Sequence, residues 1–333
     1  MKQKGLDKER LLSITNNLKK VKTLVIGDII LDHYIHGKAD RLSPEAPVPI
    51  VWAQKQNYLL GGAANVSHNI AALKANSYIC GVIGDDHHGR TVKELLAADN
   101  INTDLVVADA SRPTTLKTRV FAHHQHVVRL DWESTDFLCD DTNKQILEIV
   151  KKNLDNIDVV IIEDYGKGVI NPGLLKEVVK LCKDKGKKIT VDPKDEHFDY
   201  YRGVTALTPN LKEAAHAAAH KLRDDRDIDI IGDKLLKMMD PEAVLVTLGE
   251  KGMKLFMSDG TSFDLPTFAQ EVFDVSGAGD TVIAVFSLAL GAGATFQEAA
   301  AVSNIAAGIV VGKLGCAVTS IEELKIKIEE SFR

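Results

Sequence analysis

Thr23-Leu24-Val25-Ile26-Gly27-Asp28 is an unbroken apolar run that stops on a carboxylate, and the chain repeats the pattern. Ile79-Cys80-Gly81-Val82-Ile83-Gly84 stops at Asp85, Val159-Val160-Ile161-Ile162 at Glu163-Asp164, and Ile189-Thr190-Val191 at Asp192-Pro193-Lys194. Val204-Thr205-Ala206-Leu207 stops at Thr208-Pro209-Asn210, and Val244-Leu245-Val246 at Thr247-Leu248-Gly249. Strands that are apolar throughout are buried on both faces, which implies a mostly parallel sheet flanked by helices. In such α/β sheets the ligand lies beyond the carboxyl ends of the strands. The six polar strand ends are therefore expected to share one rim.

Two segments break the strand–helix alternation. One is 33–58, with the turn-rich Arg41-Leu42-Ser43-Pro44-Glu45-Ala46-Pro47-Val48-Pro49; the other is 114–132, a hairpin with His123, His124 and His126 at its tip. Both read as β-structure outside the main sheet, a small lid within one domain spanning 1–333. Lys254–Met257 and Ser262–Leu265 around Ser258-Asp259-Gly260-Thr261 read as an antiparallel continuation at one sheet edge. The N-terminal residues through Lys20 read as a charged amphipathic helix.

Phe273-Asp274-Val275-Ser276-Gly277-Ala278-Gly279-Asp280-Thr281 precedes the apolar run Val282-Ile283-Ala284-Val285-Phe286. Gly277 and Gly279 allow backbone N–H groups to crowd around an anion. A buried helix starting there presents unpaired N–H groups and the positive end of its dipole. Asp280 then sits where a phosphoryl group and a carboxylate would meet. A capped helix after a glycine turn accounts for the same residues, and the motif alone does not choose.

Composition narrows the classes. The chain has 333 residues, 45% of them hydrophobic, and a net charge of −6, which gives no support to a nucleic-acid surface. Met1–Asp7 has no apolar core and is no secretory signal, and the longest uncharged stretch, Thr281 to Gln297, is short for a membrane span. It reads as a buried helix and a turn, followed by an Ala- and Gly-rich helix over Ala299 to Val311. A cytoplasmic protein is expected, with Cys80, Cys139, Cys182 and Cys316 as buried free thiols, since none forms a C-x-x-C pair. Histidines at a hairpin tip, and the His87-His88 pair, are expected to be solvated rather than metal-bound. The strand ending at Gly27-Asp28 lacks a G-x-G-x-x-G turn, which disfavours a dinucleotide oxidoreductase.

Gly61-Gly62-Ala63-Ala64-Asn65 and Asp274-Val275-Ser276-Gly277-Ala278-Gly279-Asp280 resemble, in order and separation, the two signatures of the ribokinase-like sugar kinases, the phosphofructokinase B family. Asn210-Leu211-Lys212-Glu213 is similar to that family's N-x-x-E motif. Gly27–Asp32, Arg41–Pro49, Asp164-Tyr165-Gly166-Lys167-Gly168, Asp192-Pro193-Lys194 and Val311–Gly315 resemble most closely the branch that phosphorylates D-glycero-β-D-manno-heptose 7-phosphate at its 1-hydroxyl, on the route to ADP-heptose for the lipopolysaccharide core. In many bacteria that kinase is fused to an adenylyltransferase. The chain ends at Arg333, soon after these motifs, so the expectation is a stand-alone kinase or one domain of a fusion.

The resemblance implies a ribokinase-like fold, ATP and Mg²⁺ as cofactors, and roles residue by residue. Asp280 takes the proton of the sugar 1-hydroxyl. Its place at a helix N-terminus is expected to favour the carboxylate and make it a weak base. Gly277, Ala278 and Gly279 hold the transferring phosphoryl group. Asn210 and Glu213, within Asn210-Leu211-Lys212-Glu213, organise Mg²⁺ through water, although the pair reads equally as the opening turn of a helix. Thr247, Gly249, Asn304 and Lys313 match positions around the nucleotide. Sugar hydroxyls fall to Asp28, Asp32, Asn65 and the Gly61-Gly62 backbone. The 7-phosphate falls to cations among Arg41, Arg119, Arg129, Lys167 and Lys194, oriented by Asp164 and Asp192. Each of those cations could equally be a solvated surface residue. A kinase of another sugar phosphate such as fructose 6-phosphate, and a non-catalytic sugar- or nucleotide-binding protein on the same fold, are the competing readings. A homodimer through the lid is expected, because isolated β-ribbons are poorly stable.

Overall fold

The computed structural model describes residues 5–123, 125–268 and 271–332. The strands in chain order are β1 (Lys22–Gly27), β2 (Ile29–Leu42), β3 (Pro49–Gly62), β4 (Asn76–Ile83), β5 (Val106–Ala108), β6 (Thr115–Ala122), β7 (Gln125–Trp132), β8 (Val159–Glu163), β9 (Lys188–Asp192), β10 (Ala206–Leu207), β11 (Ala243–Thr247), β12 (Met253–Met257) and β13 (Ser262–Leu265). The helices are α1 (Lys8–Asn17), α2 (Ala63–Ala72), α3 (His87–Ala98), α4 (Asp140–Asn153), α5 (Pro172–Asp184), α6 (Leu211–Ala217), α7 (Arg226–Met239), α8 (Ala278–Gly291), α9 (Phe296–Val310) and α10 (Ile321–Ser331).

The apolar strands assemble into one sheet of order β13-β12-β11-β10-β9-β8-β1-β4-β5. All neighbours from β11 to β5 are parallel, and β12 and β13 continue antiparallel at the edge. Alternate residues of each strand feed two cores. Val25, Ile161 and Leu245 face α1, α2, α8, α9 and α10, whereas Leu24, Ile26, Val160, Ile162 and Val244 face α4, α5 and α7. Burial on both faces explains why these strands carry no polar alternation.

Helix α8 is buried at every residue from Asp280 to Leu290. A helix apolar all round belongs in a core. Its Phe286 is wholly buried and contributes about 1.5–3 kcal/mol. The small residues Ala299, Ala300, Ala301 and Ala306 of α9 are also buried in this core, and a Thr295–Glu298 capping box starts that helix three residues earlier than its apolar pattern suggests. The N-terminal helix is α1 plus a single turn of 3₁₀ helix, Leu18–Lys20, and it buries Leu11, Ile14 and Leu18.

The two β-segments form a separate sheet of order β3-β2-β6-β7. Its first hairpin, over 29–62, extends beyond 33–58 at both ends, so β2 begins one residue after β1 and β3 runs directly into α2. Strand β6 pairs parallel to β2 and antiparallel to β7. The register lines up Asp32 with Lys117 and Asp131, and Tyr34 with Arg119 and Arg129. Side chains two apart share a face of a strand, so one face of the lid carries all six.

His123 and His126 are exposed beside the β6–β7 turn, and His124 lies outside the described residues. The cysteines are free thiols, but only Cys80 and Cys182 are buried. Cys139 is exposed at the start of α4, and Cys316 is half-buried near the lid. Position in an apolar strand or helix face separates the first pair from the second.

Candidate active site

The glycine motif turns into α8 at Gly277, whose φ of 76° is the left-handed region that glycine adopts without strain. A Cβ there would also lie 2.9 Å from the Asn65 side-chain nitrogen. Asp280 follows as the third residue of the helix and is 5% exposed. Its Oδ2 accepts a 2.5 Å hydrogen bond from Asn65 Nδ2, and its Oδ1 accepts one of 3.0 Å from the Tyr165 hydroxyl. Asn65 stands in the first turn of α2, where β3 delivers it. Burial pushes the Asp280 carboxyl up from 3.8 to about 6, against the lowering effect of Asn65 and Tyr165. The expectation of a weak base is thereby corrected: desolvation outweighs the helix dipole, because the carboxylate is buried among other acids. A base near 6 is better matched to work at neutral pH. The charge of Asp280, with burial, pushes the Tyr165 hydroxyl well above its ordinary range, so Tyr165 remains a donor.

Three cavities meet around the start of α8, and Asp280 lines two of them. On the lid side, a polar cavity of about 370 Å³ is lined by Asp32, Gly61, Gly62, Asn65, Lys117, Arg119, Arg129 and Tyr165. Arg119 bonds Asp32 at 2.5 Å, and its guanidinium lies 5.3 Å from the Tyr34 ring centre. Arg129 pairs with Asp131 at 3.0 Å, and Lys117 with Glu133 at 3.1 Å and Asp131 at 3.4 Å. On the other side, a more apolar cleft of about 640 Å³ is lined by Thr247, Gly249, Val275, Ala278, Gly279, Val282 and Asn304. Between them, Asp164, Asp192, Lys194, Asn210 and Glu213 line a third, polar recess that also reaches Gly277, Gly279 and Asp280.

Not every expected residue reaches these cavities. Asp28 lies behind the rim, where its carboxylate accepts backbone N–H bonds from Tyr165, Lys167 and Val169 and so anchors the loop that presents Tyr165. Burial, then the nearby Asp164, pushes it up to about 6 despite those donors. Asp164 accepts from the Gly166 N–H, His197 Nδ1 and the Tyr201 hydroxyl, which holds the same loop from its other side. Lys167 pairs with Glu133 at 2.8 Å, outside all three cavities. Arg41 is exposed near the far end of β2, opposite Ile50. Lys194 pairs with Asp195, and Asp192 accepts from the Thr208 hydroxyl. Lys313 donates to the Val318 carbonyl and pairs with Glu323, outside the cleft. Asn210 and Glu213 form the reciprocal capping box of α6, which is the helix-start reading of the pair, and both also line the recess. Leu211 and Lys212 form the first turn of α6 and line none of the three cavities.

Three site residues escaped the reading of single motifs. Lys117 follows from alternation, since it shares a strand face with Arg119. Tyr165 stands inside the Asp164–Gly168 motif, but nothing local marks its contact with Asp280. Glu163, the last residue of β8, is completely buried, and neither carboxylate oxygen has a hydrogen-bond partner. Its carboxylate lies with those of Asp192 and Asp280 within 4.8 Å of one another. Burial, then the neighbouring negative charges, pushes Glu163 well up.

The model of the pfkB family of carbohydrate kinases matches residues 21–323. The Bifunctional protein HldE of Geobacter sulfurreducens is 40% identical over 319 residues, covering 96% of this chain and 65% of that protein. The protein of the same name from Helicobacter pylori is 41% identical over 310 residues, covering 93% of this chain and 67% of that protein. The chain thus spans about two thirds of the length of these relatives. Among solved structures, Arabidopsis thaliana ribokinase complexed with ribose and ATP superposes with a TM-score of 0.72 at 23% identity, covering 93% of this chain and 98% of that one. Phosphofructokinase-2 of Escherichia coli, in its tetrameric inhibited form, superposes with a TM-score of 0.77 at 18% identity, covering 94% and 100%. At such identities the likeness is one of fold, and it confirms the ribokinase-like architecture. Among the described residues no helix is long and apolar enough to cross a membrane. With the family model covering nearly the whole sequence and relatives near 40% identity, the chain belongs to the pfkB carbohydrate kinases and is a sugar kinase.

Proposed function

We propose that this kinase uses ATP to phosphorylate D-glycero-β-D-manno-heptose 7-phosphate at its 1-hydroxyl, giving the 1,7-bisphosphate. The observation that carries the reading is the lid face: Lys117, Arg119 and Arg129 line the cavity that ends at Asp280. Such a cavity suits a sugar with an anion at one end and a reacting hydroxyl at the other. Guanidinium groups bind phosphate oxygens in a bidentate fork. The choice of heptose rests on the resemblance of the motifs.

In this mechanism Asp280 accepts the hydroxyl proton while Asn65 and Tyr165 hold its carboxylate in place. Backbone N–H groups of Gly277, Ala278 and Gly279 stabilise the transferring phosphoryl group. The apolar cleft takes the nucleotide, with Thr247, Gly249 and Asn304 along its wall. Asn210 and Glu213 border the polar recess, and their side chains are largely committed to the capping box. That donor set fits an ion reached through water, and Mg²⁺ bound there would neutralise charge on the phosphates.

An ATP-consumption panel tests the substrate. Turnover is expected to be at least about tenfold faster with the heptose 7-phosphate than with fructose 6-phosphate, ribose or the unphosphorylated heptose, since polar recognition discriminates strongly. Equal use of fructose 6-phosphate would leave a sugar-phosphate kinase of different specificity.

A homodimer through the lid belongs to the same reading. Val128, Leu130 and Trp132 alternate along edge strand β7 and are exposed, as are Leu42, Val48 and Trp52 on the first hairpin. Apolar surface on a thin β-ribbon is best covered by a second copy. Light scattering should give twice the chain mass, and a fully active monomer would refute the dimer.

A further inference from the structure

We propose that Asp28 is a positioning residue for phosphoryl transfer: by gathering the backbone of residues 165–169 it holds the Tyr165 hydroxyl on Asp280. The proposal deepens the kinase reading and rests on Asp280 as the base, not on which sugar is used.

The loop after β8 turns sharply. Gly166 and Gly168 have φ of 67° and 87°, in the left-handed region, and a Cβ on Gly168 would collide with the Asp136 carbonyl oxygen. Asp28 collects alternate N–H groups of this loop. Its Oδ2 accepts from Tyr165 at 2.8 Å and Lys167 at 3.0 Å, and its Oδ1 from Val169 at 3.2 Å. Arg112 ties the same loop to its neighbour, donating to the Lys167 carbonyl at 2.5 Å and the Ser134 carbonyl at 3.0 Å. Of residues 165–169, only Tyr165 lines any of the three cavities, and it lines both of those that Asp280 lines.

A buried carboxylate is a costly way to hold a loop, because burial disfavours its charge. Such costs are retained where a site needs them. Val169 is buried in the core and Lys167 pairs with Glu133, so the group that this anchor serves at the site is Tyr165. Its hydroxyl lies 3.0 Å from Asp280 Oδ1, with Asn65 on Oδ2. Two fixed donors set the rotation of the carboxylate, and each oxygen keeps a lone pair for the proton of the sugar hydroxyl. Donation also favours the ionised form that accepts that proton. The titratable and charged groups facing Asp280 are Tyr165, Glu163 from β8, Asp192 from β9, Asp32 from β2, Cys316, and Arg119 across the cavity; Tyr165 is the one among them that donates to it.

The test compares pH profiles of kcat, with ATP and the best sugar of the substrate panel. Tyr165→Phe keeps the ring and removes the donor. Its plateau kcat should fall on the order of tenfold, with KM for ATP nearly unchanged. Its acid limb should move up by about one pH unit, because the carboxylate loses a hydrogen bond. Asp28→Asn lies outside all three cavities, yet it should change plateau and limb in the same directions. Its amide turns an N–H₂ group toward backbone N–H donors and so loosens the loop. The sign of the shift identifies the route. Loss of the Asp28 charge acting through space would move the limb down, whereas loss of the Tyr165 donor moves it up. In the double variant, Asp28→Asn should add less than about twofold to the loss from Tyr165→Phe, since both act through one contact. A mere folding defect lowers the melting temperature and the active fraction without moving the limb. If Asp28→Asn does not fold, Asp28→Ser, which sets no N–H₂ against the loop, takes its place. An unmoved limb in Tyr165→Phe, a limb that stays or moves down in the Asp28 variant, or losses that multiply in the double variant would each overturn the proposal. Retained turnover in Asp280→Asn would overturn the base itself and this proposal with it, so the two failures are distinguishable.

Discussion

Asp280→Asn is expected to lower kcat by roughly 10²–10⁴ at saturating sugar and ATP, the span associated with a general base. The substitution keeps the side-chain shape and removes charge and basicity. The Tyr165 hydroxyl can still donate to the amide oxygen, and the Asn65 amide can turn over so that its oxygen accepts from the new NH₂ group. Asn also tolerates a helix N-terminus. The ionised carboxylate is held unfavourably by burial, so losing it removes a destabilising charge at neutral pH. The fold should therefore survive, with nucleotide affinity unchanged or improved once a negative charge beside the phosphates is gone. A helix-capping aspartate with no chemical role predicts near-normal turnover and a deficit explained by stability. Steady-state kinetics beside a thermal melt and a nucleotide titration separate the two. A folded variant that binds ATP and keeps more than about a tenth of wild-type turnover would remove Asp280 from catalysis.

What could be read in advance followed from local chemistry with a fixed spatial consequence. An apolar run such as Val159–Ile162 is buried on both faces wherever it sits, and the matching ends of parallel strands must share a rim. The glycines before α8 likewise specify a turn and a helix start whatever surrounds them. The remainder depended on partners far apart in sequence. Asp28 ends a strand just as Asp192 does, yet its carboxylate closes on backbone N–H groups more than 130 residues away and never reaches the cavity. Nothing near Asp28 announces those donors. Arg41 lies on β2 itself, toward the end away from Asp32, whereas only the register of β6 against β2 shows that Arg119 comes beside Asp32. The strength of Asp280 as a base was misread for a related reason. The helix start is local and visible, whereas the burial that outweighs it comes with the packing of α8 against α2, β8 and β9.

Arg119→Ala should raise KM for the sugar phosphate by roughly 10–150-fold, the equivalent of the ~1.5–3 kcal/mol carried by a charge-assisted hydrogen bond. Arg119 is held on two sides. One arm bonds Asp32, the plane lies over Tyr34, and it sits on the strand between β2 and β7. A guanidinium so fixed can keep Asp32 on one nitrogen and offer the rest of its fork to a phosphate. Arg129 and Lys117 have their own carboxylate partners, Asp131 and Glu133, which a phosphate would have to displace or share. Removing Arg119 also leaves the Asp32 charge facing the bound anion, which adds to the loss. Unphosphorylated heptose gains nothing from the guanidinium, so its KM should change far less and the preference for the phosphorylated sugar should collapse. Arg119→Lys keeps the charge without the fork and should fall between. Lost packing against Tyr34 would instead lower the melting temperature and affect both sugars alike. An unchanged KM ratio in a folded variant would return Arg119 to a purely structural role beside Asp32.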